Sequence, residues 1–303
     1  MTRNVKGSDT AAAAVLWGVG VLAAVVVLSP WVYVGLRTVG QVWGWPPLAT
    51  VGFGTVVERM LLVGVVPWVW WVLWQRGWRS WADYGFGPRW HTGVIPGAVV
   101  ALGWVVTVLS FELVLGARKW KQEVVWLAVL GVLPTAVVVA LVEEWVFRGV
   151  LLRLLQRRWA FVWANGLQAV VFAGMHFLSP PGFGSRHEAR WSSGMEWLVA
   201  CGRQFWQTSV LEQPQLWIKF AVLAALGWLL GVSVRQVGHV GWAVGFHAAA
   251  VWAMLVVRQW TAAEKGWWLP WIGRVPLESV DVLAVVAGMC LVQWVLYCRK
   301  KVR

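Results

Sequence analysis

The stretch ALVEEWVFRGVLLRLLQRRW, from Ala140 to Trp159, sets two adjacent carboxylates, Glu143 and Glu144, and an arginine, Arg148, inside an otherwise apolar run. An unpaired carboxylate is costly to bury in hydrocarbon, so ionisable groups in such runs face a cavity, pair with each other and mark function. Glu144 and Arg148 stand four residues apart, which lets them pair on one helical face. Adjacent helical positions are about 100° apart, so Glu143 is left facing a different surface. In a partly dry pocket a carboxylate holds protons more readily, which suits the work of a general base and then acid. The competing reading is a Glu-Arg-Glu ion cluster that only ties helices together.

Two histidines sit on other apolar segments. His176 ends VVFAGMHFLSPP, with Phe172 one helical turn before it, and His247 lies deep in GHVGWAVGFHAAAVW, Gly238 to Trp252. A lone histidine near a helix end, such as His176, reads by itself as structural or interfacial. Around His247, Gly241 and Gly245 form a small-xxx-small face that permits close helix packing, and a histidine buried there is costly unless something uses it. His91, His187 and His239 fall in polar loops or at the start of a span and read as interfacial or solvated. Two histidines and a glutamate can bind zinc with a water in the fourth place, or can activate water directly by base catalysis. Either route leads to hydrolysis.

The elements that must position these groups are membrane helices. Of 303 residues, 59% are hydrophobic, 29 are Trp and only 13% are charged, and the mean hydropathy is +0.65. A water-soluble domain of this length needs far more polar surface. A spanning helix takes ~20 mostly apolar residues, and about eight such stretches can be laid out, near 11–36, 48–74, 93–116, 124–150, 160–178, 215–233, 239–260 and 278–298. The expected fold is all-α, a polytopic membrane helix bundle, with residues 1–303 forming a single membrane-embedded domain. The first stretch is too long for the apolar core of a removed leader and reads as a retained span.

The net charge of +13 is spread over every loop, so nucleic acid is not the expected partner. The lipid bilayer is, and a basic end such as CRKKVR suits anionic headgroups. Lys and Arg counts on alternate loops nearly balance, and the basic C-terminal tail together with LLQRRW points to cytoplasmic termini. Two polar segments break the apolar rhythm. Gln75 to Gly93 mixes Arg with Trp, Tyr and Phe, which suits the headgroup level. The loop 179–215 is long enough to serve as a lid or binding segment, and within it Trp191 to Trp206 reads as a short interfacial helix. Cys201, Cys290 and Cys298 lack metal-ligand or redox spacing and read as small apolar residues.

EEWVFR, Glu143 to Arg148, resembles the EExxxR motif of the CPBP family, which comprises CAAX prenyl proteases and bacteriocin-processing or Abi proteins. FAGMH, Phe172 to His176, resembles that family's FxxxH, and His247 with its lead-in VGWAVGF resembles its last motif, HxxxN or HxxxD. Their order and helical setting agree over a core of about 125–252. The resemblance implies an eight-span intramembrane endopeptidase of the CAAX-protease type, in a bacterial plasma membrane, acting on a membrane-associated or lipidated protein or peptide. By it, Glu143 is the general base that activates the attacking water, Glu144 and Arg148 support the site, and His176 and His247 complete it. The cofactor stays open: a divalent metal such as zinc held by Glu143, His176 and His247, or a metal-free glutamate mechanism.

One position departs from the motif. Four residues after His247, where the family carries Asn or Asp, stands Val251. An amide there can donate a hydrogen bond to a developing oxyanion; valine donates nothing. Three outcomes follow: another donor substitutes, the enzyme is slower or has altered substrates, or the chain is a catalytically impaired relative acting as a membrane binding scaffold. A proton-coupled transporter with a Glu-His relay is a further alternative. It calls for broken helices in two matching halves, and Pro134 in the fourth stretch has no counterpart.

Overall fold

The computed structural model describes residues 5–121, 126–177, 180, 182–206, 214–264, 266 and 279–302. Its runs of Val, Leu, Ala and Trp form helices because an apolar medium leaves backbone N–H and C=O groups no partner but each other, and a helix satisfies them within one segment. In chain order these are α1 (Val5–Val42), α2 (Phe53–Gln75), α3 (Val94–Val114), α4 (Trp126–Glu144), α5 (Phe161–Met175), α6 (Ser193–Trp206), α7 (Pro214–Val237), α8 (Gly241–Trp260) and α9 (Val280–Val302). At Glu144 the rod of α4 continues into a π-helical segment, Trp145–Leu151, and a last α-helical turn, Leu152–Gln156. A small antiparallel ribbon, which the all-helical reading does not anticipate, pairs β1 (Arg118–Trp120) with β2 (Thr261–Ala263), Arg118 opposite Ala263.

Among the described residues, six rods are long and apolar enough to cross a membrane: Leu16–Val42, Phe53–Gln75, Trp90–Val114, Val129–Gln156, Gln215–Val237 and Gly241–Trp260. Each overlaps one of the eight expected spans. The fifth and eighth expected spans correspond to shorter apolar helices, Phe161–Met175 and Val280–Val295. The chain is a polytopic α-helical membrane protein.

Two compact units are present. The first comprises residues 1–79 and 177–208 and contains α1, α2 and α6. Here α6, within the expected interfacial helix, lays Gly194 against the backbone of Val26, where a Cβ would strike the carbonyl. Trp197 and Cys201 of α6 are buried with Val25, Tyr33, Phe53, Val56 and Val57. Burial pushes the Cys201 thiol up to about 11, which suits an inert apolar residue. His187 differs from the solvated histidine expected of a polar loop. Its ring lies 4.9 Å from those of both Phe53 and Phe183, and its Nε2 is 2.9 Å from Ser193 Oγ. Two aromatic neighbours outcompete water for the ring's apolar body.

The second unit comprises residues 80–176 and 209–303, with a core drawn from α3, α7, α8 and α9. Its most extensive helix–helix contact is between α3 and α8. A Cβ at Gly97 would strike the Trp242 carbonyl, and one at Gly245 would strike the Val94 carbonyl, so each helix supplies a glycine for the other's backbone. This is the close packing that the small-xxx-small face permits. Trp252 Nε1 donates to the Val129 carbonyl at 3.0 Å and ties α8 to α4. These two attachments fix His247 opposite the paired glutamates.

Candidate active site

All five residues singled out by type and spacing belong to the second unit. Glu143 and Glu144 end α4, and the π-helical segment begins at the next residue, Trp145. Such wide turns inside α-helices are frequent at functional sites. Arg148 lies within this one and is fully buried. Farther along the rod, Arg153 Nη1 donates to the Ala82 carbonyl at 2.8 Å.

Glu144 is the hub. Its Oε1 accepts from Arg148 Nη1 at 2.8 Å and from His247 Nδ1 at 2.7 Å, and neither Glu144 nor Arg148 has solvent exposure. The i to i+4 pairing expected from spacing is thus formed. Arg148 also donates from Nη2 to the Gly227 carbonyl at 3.2 Å. Gly227 belongs to α7, and a Cβ there would come within 2.9 Å of Ala169 Cα, so the glycine lets α7 approach α5. The guanidinium lies 4.5 Å over the Phe172 ring, a cation–π contact that offsets part of its desolvation.

Phe172 also meets the His176 ring edge-on at 4.7 Å and the His247 ring at 6.0 Å. It therefore touches three of the five site residues. The FxxxH spacing points to it, but the sequence does not say that the ring supports Arg148.

His247 directs Nδ1 at Glu144, so in the neutral ring Nδ1 carries the proton and Nε2 is the acceptor nitrogen. That Nε2 lies 3.8 Å from Glu143 Oε2. Glu143 Oε2 is closed off from solvent and has no hydrogen-bond partner, although the side chain as a whole is about one-fifth exposed. One glutamate is locked and its neighbour is not. His176 places Nδ1 2.9 Å from the Phe172 carbonyl, so its Nε2 is likewise the free nitrogen.

A cavity of about 170 Å³ adjoins these groups. His176, His247, Phe172, Trp104, Val251 and Arg258 line it, and the remaining wall is Leu, Phe, Ala and Met. Glu143 is not part of that lining. Val251, the departure from the motif, is therefore a wall residue of the cavity into which both histidines open.

As a metal site the set does not fit. Among the described residues no group of three or more His, Cys, Asp or Glu side chains is arranged to hold an ion, so Glu143, His176 and His247 do not close into a ligand set. The electrostatic design is a buried carboxylate neutralised by one arginine and oriented on one histidine, beside a second carboxylate whose Oε2 has no hydrogen-bond partner.

Residues 124–253 match the family model for the type II CAAX prenyl endopeptidase Rce1-like proteins. No curated protein and no solved structure matches the chain. The matched segment runs from just before α4 to the last turns of α8 and contains Glu143, Glu144, Arg148, His176 and His247, so the similarity to the CAAX-protease family spans all five site residues.

Proposed function

We propose that the protein is an intramembrane endopeptidase of the CAAX-protease type that hydrolyses a peptide bond in a membrane-associated or lipidated protein or peptide, with Glu143 as general base. The observation that carries this reading is the contrast between the two glutamates. Glu144 is held by Arg148 and His247, whereas Glu143 Oε2 is buried without a partner, 3.8 Å from the free nitrogen of His247. The Glu143 side chain as a whole is about one-fifth exposed, so solvent can approach this carboxylate beside His247.

In the proposed reaction Glu143 takes a proton from a water while His247 Nε2 accepts its other hydrogen. The water oxygen bonds to the scissile carbonyl carbon, and the carbonyl π pair moves onto oxygen. When the pair returns, the C–N bond breaks and the amine leaves with the proton that Glu143 had taken. Glu144 and Arg148 position His247, and His176 orients the bound peptide from the cavity wall. A metal-free form is proposed for the reaction, a choice supported by the finding that, among the described residues, no three His, Cys, Asp or Glu side chains are grouped to hold an ion. The basic tail supports cytoplasmic termini.

A second reading, a scaffold that binds a membrane partner without cutting, draws on one observation: Val251 presents a methyl-bearing side chain to the cavity where an amide is usual. Quantitative mapping of peptide termini in membranes containing the native protein or Glu143→Gln at equal abundance separates the two. Termini that vanish with the substitution support the protease and identify its substrate. Identical termini in both samples support the scaffold.

A further inference from the structure

Val251 leaves the proposed oxyanion without a donor from the family's usual place. Among the residues that line the same cavity, Trp104 is the one with a buried donor and no acceptor: it is 4% exposed, and its indole Nε1 is shut off from solvent without a hydrogen-bond partner. Native folds pair their buried polar groups, so an N–H left without an acceptor asks for an account. Indole N–H can only donate. It can stabilise negative charge but can neither attack a carbonyl nor take a proton from water.

The ring is held firmly. It stacks on Phe246 at 5.8 Å with planes 16° apart, and Phe246 stacks in turn on Trp242 at 5.2 Å. Phe246 immediately precedes His247, and both line the same cavity as Trp104. Helix α3, which carries Trp104, is set against α8 by Gly97 and Gly245. Donors fixed in place before the reaction are those that stabilise developing charge at least cost.

We propose that the Trp104 indole N–H donates to the scissile carbonyl oxygen as it becomes an oxyanion, taking the part that an amide at position 251 would play. This inference rests on the hydrolysis put forward above. Trp104 lies outside the matched segment 124–253, so no motif of the family carries it.

The test measures kcat and KM, on the peptide identified by terminus mapping, for the native protein, Glu143→Gln, Trp104→Phe and Trp104→Phe combined with Val251→Asn. Trp104→Phe keeps a stacking ring and deletes only the donor. It is expected to lower kcat about 10²–10³-fold with KM unchanged, and Val251→Asn is expected to restore most of that loss. Trp104→Met, with and without Val251→Asn, runs in parallel so that the result does not depend on one packing solution. Loss without rescue in both backgrounds marks a packing defect and overturns the proposal. Native kcat in Trp104→Phe, with Glu143→Gln inactive, overturns it and leaves the protease reading intact. Equal activity of the native protein and Glu143→Gln overturns both.

Discussion

His247 Nδ1 lies 2.7 Å from Glu144 Oε1, the same oxygen that receives Arg148 Nη1 at 2.8 Å, so a single carboxylate oxygen fastens α8 to the rod of α4. Everything else about the site follows from that shared oxygen. The histidine's Nδ1 is oriented by it, the arginine's charge is offset by it, and the adjacent glutamate keeps an oxygen, Oε2, outside any hydrogen bond.

Removing the hub is expected to be a folding defect first. Glu144→Ala leaves Arg148 buried and unpaired, a loss of about 3–5 kcal/mol for such broken buried pairs. Glu143→Gln is expected to change stability by no more than about 0.5 kcal/mol while abolishing processing. Thermal unfolding of the two purified variants in detergent, beside the terminus assay, checks the contrast. Comparable melting losses in both would sink the division of roles between the glutamates.

Arg148→Lys keeps the charge but not the shape. A lysine ammonium cannot reach Glu144 and the Gly227 carbonyl from two nitrogens of one plane, nor lie flat on Phe172. The expected result is a destabilisation of about 1–3 kcal/mol, with residual activity in the fraction that folds. Native stability in Arg148→Lys would show that the carbonyl contact and the ring contribute little.

The α3–α8 contact leaves no space at its glycines. Adding one methyl at Gly245 or Gly97 drives a Cβ into a backbone carbonyl of the facing helix, and backbone cannot rotate away as a side chain can. Each Gly→Ala variant is expected to lose about 1–3 kcal/mol through overpacking. The same change at Gly103, which has open space around its missing Cβ, is the control and is expected to be neutral or stabilising.

Chelation separates the two routes to an activated water. If Glu143 and His247 act without an ion, dialysis against a strong zinc chelator leaves kcat unchanged, and added zinc gives no gain. A loss on chelation that zinc reverses would mean that His176 and His247 rearrange into a ligand set when substrate or metal arrives.

The site was legible from the sequence to the extent that its residues are expensive where they stand. Glu143, Glu144, Arg148 and His247 are visible because charge and imidazole are rare in apolar runs, and the i to i+4 relation alone gives the Glu144–Arg148 pair. Other features left no trace. The π-helical segment uses the same apolar residues as any α turn. The length of α5 is decided by where the chain turns at His176, which hydropathy does not register. Trp104 is hidden for the opposite reason to the glutamates: among 29 tryptophans one more carries no signal, and only its position on the cavity wall distinguishes it.

The π-helical segment Trp145–Leu151 has a further consequence, which concerns phase. A wide turn of this kind closes its hydrogen bonds over one more residue than an α turn, so it amounts to one residue inserted in the rod. Side chains beyond it lag those of an uninterrupted α-helix by about 100°. The face that holds Glu144 and the face that holds Arg153 against the Ala82 carbonyl are therefore clocked separately. Substitutions can tune either face alone, but a one-residue deletion inside the segment would turn one against the other. Insertion and deletion, more than side-chain exchange, are the changes to which this rod is least tolerant.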